Sequence, residues 1–147
     1  MNPKPKCLYC NKSSAVAPLS ESKTKLTGFA SSGYYYCGEA CHEEILQFDK
    51  RVKEKSARFL ILMAVSALSY IPLMILSFLS AYGNIFMSLS IASPLVFIGI
   101  VMIVYPFATP ETNRMWGIRK SITVIKRLGY ALAFSGVVAG TIIYLLA

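Results

Sequence analysis

All four cysteines of the 147-residue chain precede residue 42, in two close pairs: Cys7-Leu8-Tyr9-Cys10 and Cys37-Gly38-Glu39-Ala40-Cys41. Thiols spaced in this way support two chemistries. Oxidised, they form disulfides. As thiolates they ligate a metal, and two close pairs well separated in sequence are what a tetrahedral Zn²⁺ site takes. A Cys-x2-Cys turn lets two thiolates reach one ion while backbone N–H groups point at the sulfurs. Asn11, directly after the first pair, suits the left-handed backbone in which such a turn ends. The second pair is expected to open a helix, where positions i and i+4 share a face and the helix N-terminus favours thiolate over thiol. His42, the only histidine, is either an alternative fourth ligand or a solvent-facing residue of the first helical turn. The expected ligands are Cys7, Cys10, Cys37 and Cys41. A site closed by four thiolates has no open coordination position, which makes the metal structural rather than catalytic.

Choosing between disulfides and metal requires the compartment, and the elements that carry the cysteines supply it. The chain is 55% hydrophobic and only 15% charged, against roughly 25% charged in ordinary soluble domains. From residue 59 to residue 110 there is no charged residue and no histidine. A bilayer core takes about 20 apolar residues per helix, so this run holds two spans. The turn-forming sequence Ala81-Tyr82-Gly83-Asn84 divides it, giving spans near 59–80 and 85–108. A second charge-free run, 128–147, is a third span. Lys50, Arg51, Lys53, Lys55 and Arg58 precede the first span. Arg114, Arg119, Lys120, Lys126 and Arg127 lie between the second and third, while the turn at 81–84 is uncharged. Basic short loops stay in the cytoplasm. The expectation is an integral membrane protein with its N-terminus cytoplasmic and its C-terminus outside. The first residues have no apolar core, so residues 1–58 are expected not to be exported. Thiols on the cytoplasmic side stay reduced, which favours metal over disulfides.

Cys7-x2-Cys10 followed by Tyr36-Cys37-Gly38-Glu39-Ala40-Cys41 resembles the treble-clef zinc fingers of the TRASH and FCS-like kind. Their second half reads aromatic-Cys-small-x-x-Cys and leads into a helix. The resemblance covers roughly residues 7–55. It implies a zinc knuckle, a β-hairpin and a helix, with the four cysteines as ligands. It also points to small zinc-ribbon proteins with appended membrane helices. Residues 23–29 and 34–37 read as the hairpin strands, around Ala30-Ser31-Ser32-Gly33. About 40 residues so poor in aliphatic side chains would not fold without help, so metal is expected to supply much of the folding energy.

The fold class is thus a mainly α membrane protein with three transmembrane helices and a small zinc-finger head. Residues 1–56 form the head and linking helix, and 57–147 the membrane domain. From Glu39 to Ile71 there is no Gly or Pro, and Cys41, Ile45, Phe48 and Val52 recur as a helical stripe. Early glutamates and later lysines suit the helix dipole. The helix is expected to run on into the first span. Thr109-Pro110-Glu111 reads as a helix start, and Met115, Ile118, Ile122 and Ile125 as one apolar stripe. Residues 110–127 are therefore expected to form an interfacial helix on the inner leaflet, or a packing surface for the head or a partner. The basic clusters either set topology or contact anionic lipid. Tyr34, Tyr35 and Tyr36 either pack the small core or stack nucleic-acid bases.

The spans carry serines and tyrosines but no ionisable acid or base of the kind that marks transport paths. Pro72 and Pro94 are expected to kink the first two. Gly136-x3-Gly140, extended by Gly129 and Ala133, makes a small-residue face for packing within the chain or against another subunit. One histidine and one aspartate, Asp49, leave little for nucleophilic or acid–base chemistry, and no HExxH, P-loop or dinucleotide motif is present. No catalytic residues are assigned. The function expected is non-enzymatic: a membrane-anchored zinc finger that docks a protein partner or serves as an accessory subunit of a membrane complex. The alternatives are soft-metal sensing or trafficking through the four cysteines, and membrane-tethered nucleic-acid binding.

Overall fold

A computed structural model of the chain describes residues 5–13, 19–24, 26 and 33–146. The described elements are two short strands, β1 (Ser20–Ser22) and β2 (Tyr34–Tyr36), and five helices. The helices are α1 (Glu39–Leu68), α2 (Tyr70–Leu79), α3 (Gly83–Val104), α4 (Pro110–Trp116) and α5 (Ile118–Leu146). The chain forms two compact units. One, the head, joins Met1–Ser56 to Phe107–Val124; the other joins Ala57–Pro106 to Ile125–Ala147.

In the head, β1 and β2 pair antiparallel, with Ser20 opposite Tyr36 and Ser22 opposite Tyr34. The first strand therefore lies before the expected 23–29, and the expected turn at 30–32 falls outside the described residues. Leu26 lies in the core, and residues 25 and 27–29 of the expected strand fall outside the described residues. The 7–10 segment docks beside β2: the Leu8 N–H donates to the Tyr35 carbonyl at 2.8 Å. The core gathers Leu8, Leu26, Tyr34, Ile45, Phe48 and Ile118, with Val52 and Ile122 packed against it. Ile45, Phe48 and Val52 are the helical stripe of α1, which faces this core as its periodicity requires. Burying one such aliphatic side chain contributes about 1.5–3 kcal/mol.

The segment 110–127, read from the sequence as an interfacial helix or a packing surface for the head, belongs to the head unit as far as Val124, and it is not one helix. α4 starts as expected: Thr109 is the N-cap, its side chain accepts from the Thr112 N–H, and Pro110 opens the helix. It ends at Gly117, whose φ of 80° stops the helix before α5 begins at Ile118. The kink breaks the expected apolar stripe. Met115 is 67% exposed and Ile118 1%, so the two share no face.

Among the described residues, three helices are long and apolar enough to cross a membrane: α1 with α2 over Glu39–Leu79, α3, and α5. α1 is continuous from Glu39 to Leu68 and breaks at Ser69. Pro72 explains the break: it has no N–H for the Leu68 carbonyl, and its ring crowds that oxygen. The serines next to the break bond back onto the helix, Ser66 Oγ to the Leu62 carbonyl at 2.6 Å and Ser69 Oγ to the Ser66 carbonyl at 2.7 Å. Pro94 is accommodated inside α3.

The small-residue face of α5 packs within the chain. A methyl group on Gly129 would lie 2.7 Å from the Gly99 carbonyl oxygen, and one on Gly99 would lie 2.6 Å from that of Gly129. Gly136 and Gly140 meet Ala92, Leu95 and Val96 at similar range. Ser88 Oγ on α3 donates to the Gly140 carbonyl at 2.6 Å. Helix backbones approach this closely only where side chains are absent. Phe78, Leu79, Phe134 and Leu145 point outward, as spans surrounded by lipid require.

Candidate metal centre

The metal-capable cluster brings together Cys7, Cys10, Cys37 and Cys41, the four residues expected from spacing. Their sulfurs all lie within 4.8 Å of one another, and all four are free thiols. Cys10 Sγ is 3.5 Å from Cys37 Sγ, and Cys37 Sγ is 3.5 Å from Cys41 Sγ. Metal–sulfur bonds of about 2.3 Å in a tetrahedron place sulfurs about 3.8 Å apart, so the cluster has the dimensions of a four-thiolate site. The separations are far beyond a disulfide bond.

Each pair is placed by its backbone. The Cys7 N–H donates to the Lys12 carbonyl at 2.9 Å, and the Asn11 N–H returns to the Cys7 carbonyl at 2.9 Å. This closes a tight knuckle. Asn11 takes φ 61° to leave it, the left-handed backbone its residue type tolerates. The second pair straddles the start of α1. The Cys41 and His42 N–H groups both donate to the Gly38 carbonyl, at 3.0 and 3.1 Å, so Cys37 sits just before the helix and Cys41 in its first turn.

The thiols differ in acidity. Burial opposes the Cys7 thiolate, but the N–H groups of Cys10, Tyr9 and Cys37 outweigh it and hold the thiol below its usual range. Burial raises Cys10, with the neighbouring Cys7 and Cys37 sulfurs adding to the rise against the Lys12 N–H. Cys41 is pushed up strongly by burial, then by its contact with Cys37 and by the charge of the other sulfurs. Four thiolates this close repel one another, and a bound cation is what lets them ionise together.

His42 stands outside the sulfur set. Its Nδ1 lies 3.2 Å from the Tyr34 hydroxyl, and its ring packs 4.5 Å from the Tyr36 ring centre. Tyr34 is buried. Tyr36 packs against the same core.

Sequence reasoning missed what holds the knuckle from the other side. The Ile118 N–H donates to the Leu8 carbonyl at 2.9 Å, and the Arg119 N–H to the Tyr9 carbonyl at 3.2 Å. The first N–H groups of a helix have no partner within it, and here the knuckle supplies two. Gly117 makes the approach possible: a methyl group there would lie 2.7 Å from the Tyr9 carbonyl oxygen. The available signal was a glycine inside an otherwise helical pattern, directly after Trp116. Asn113, 1% exposed, also had no signature. Its Nδ2 reaches the Ala108 carbonyl at 3.5 Å.

The geometry establishes a membrane-type helical chain with a four-cysteine cluster of metal-binding dimensions. No family model, curated protein or solved structure matches it.

Proposed function

We propose that the head is a zinc finger of the treble-clef kind, in which Cys7, Cys10, Cys37 and Cys41 hold one structural Zn²⁺. In this reading the chain is a non-enzymatic, membrane-anchored docking or accessory subunit working at the cytoplasmic face. The observation that carries it is the convergence of the four sulfurs within 4.8 Å. The order of knuckle, strand pair and helix is that of a treble clef. An all-cysteine donor set suits Zn²⁺, and four thiolates fill its tetrahedral shell, leaving no position for substrate. The basic residues before the first span and between the second and third favour a cytoplasmic N-terminus and an outside C-terminus.

A second reading, transfer or sensing of a soft metal, draws on the partial exposure of Cys10, Cys37 and Cys41. The two separate by exchange rate. A structural ion leaves slowly and its loss unfolds the head, whereas a cargo ion exchanges with a mild chelator while the head stays folded. Base stacking draws less support, because Tyr34 is buried in the core.

Purification in gentle detergent, with elemental analysis and identification of co-purifying proteins, tests both halves of the proposal. One zinc per chain and a reproducible partner are expected. Absence of metal overturns the zinc reading, and a chain that purifies alone counts against the accessory role. A reporter fused to the N-terminus is expected to report the cytoplasm; an outside location overturns the orientation and returns disulfides to consideration.

A further inference from the structure

Beside the knuckle the head carries an open cleft of about 380 Å³, within the range of small-ligand sites. Knuckle residues 9–11 form one side, and Trp116, Arg119, Lys120 and Thr123 the other. Three features of this lining point the same way. The two cations are adjacent, and both side chains are exposed. No carboxylate lines the cleft; Glu44 and Arg119 both act on the hydroxyl of Tyr9 at its edge. Arg119 and Lys120 also occupy the first turn of α5, which holds no acidic residue. Cations at that end of a helix run against its dipole, a cost that an anion in the cleft would reverse. The indole of Trp116 adds an apolar wall, with Lys120 Nζ 6.0 Å from its ring centre.

We propose that this cleft binds a phosphate group whose charge is not neutralised by a cation of its own, carried either on a lipid headgroup or on a small soluble metabolite. The Arg119 guanidinium offers a fork of N–H donors that matches phosphate oxygens, and Lys120 a point charge. Thr123 lines the same side, its hydroxyl donating to the Arg119 carbonyl at 3.1 Å, and Trp116 covers the organic part of the ligand. Cys10, one of the four clustered cysteines, lines the knuckle side of the cleft, so the cations that would hold the phosphate are those of the opposite side.

Trp116 is the only tryptophan of the chain, so its fluorescence reports the cleft directly. Full-length protein in detergent is titrated with phosphatidylglycerol in mixed micelles, with phosphatidylcholine micelles, and with glycerol 3-phosphate. A saturable change with phosphatidylglycerol alone assigns the site to a lipid headgroup. A saturable change with glycerol 3-phosphate assigns it to a soluble phosphate. Phosphatidylcholine is expected to act far more weakly. Arg119→Gln and Lys120→Gln should each weaken the response about fivefold, the effect of about one cation near a charged surface. Lys50→Gln with Lys55→Gln, outside the cleft, should leave it unchanged. No response to either phosphate ligand, equal response to phosphatidylcholine, or equal weakening by the Lys50 and Lys55 substitutions overturns the proposal. Metal content is measured on the same samples. A metal-replete protein without a phosphate response fails on the cleft alone, and a metal-free one fails on the zinc reading.

Discussion

Gly117→Ala should loosen the head more than its position, far in sequence from every cysteine, would suggest. Gly117 adopts φ 80° and ψ 149°, backbone territory that residues with a Cβ enter at about 1–3 kcal/mol. Its added methyl group would also press on the Tyr9 carbonyl oxygen at 2.7 Å and on Asn11 at 3.1 Å. Relief by moving α5 away breaks the Ile118-to-Leu8 and Arg119-to-Tyr9 hydrogen bonds, each worth about 1 kcal/mol. Together these give a loss of about 3–5 kcal/mol, comparable to the whole stability a core this small supplies. Hydrogen exchange of the full-length protein in detergent, read by mass spectrometry, reports it. Faster exchange is expected in segments 5–13 and 117–124, with quicker metal loss to a chelator. Gly38→Ala is the control. Gly38 lies between two ligands, yet a methyl group there meets nothing within 4 Å, so exchange and metal retention should stay as in the unaltered protein. A Gly117→Ala protein that exchanges like the unaltered one, or a Gly38→Ala protein that loosens equally, would refute the docking of α5 on the knuckle.

Further outcomes follow from other contacts. Gly129→Leu should destabilise the folded monomer in detergent, because its side chain has no room against Gly99, Met102 and Ile103; an unchanged thermal midpoint would contradict the close α3–α5 packing. Ile45→Ala removes a fully buried side chain and should cost about 2–5 kcal/mol, measured as protease resistance of the head. His42→Ala should leave metal stoichiometry at its unaltered value while Cys41→Ser lowers metal retention; elemental analysis showing the reverse would make His42 a ligand. Metal affinity should fall as pH falls, because metal uptake must displace protons. Burial and the neighbouring sulfurs make Cys10 and Cys41 weaker acids than ordinary thiols, so in the metal-free protein both are protonated at neutral pH and each must give up its proton to bind. Competition titrations at pH 7.5 and 6 (values chosen on the order of one thiol titration width) read this, and equal affinity at both would contradict thiol ligation.

What was legible in the sequence was what period and composition encode. Charge-free runs located the spans, the Cys41, Ile45, Phe48 and Val52 stripe located the face of α1 that meets the head core, and paired cysteines located the cluster. Asn11 even announced its left-handed backbone. What escaped depends on contacts between distant segments. The partner of β2 is the polar Ser20-Glu21-Ser22, which has no apolar alternation to mark it. The stripe of residues 110–127 looked continuous because a helical period carried across Gly117 ignores the one residue whose backbone breaks it. The role of the Gly136-x3-Gly140 face was open from sequence, since small residues permit close approach without naming the neighbour. Ser88, Ala92, Leu95 and Val96 on α3 supply the answer.

X-ray absorption at the zinc edge, on the full-length protein purified without added metal, tests the central claim most directly. The expected spectrum is a single shell of four sulfurs at about 2.3 Å, with one zinc per chain by elemental analysis. A shell containing nitrogen or oxygen, a different metal in that position, or four cysteines recovered as disulfides would contradict it.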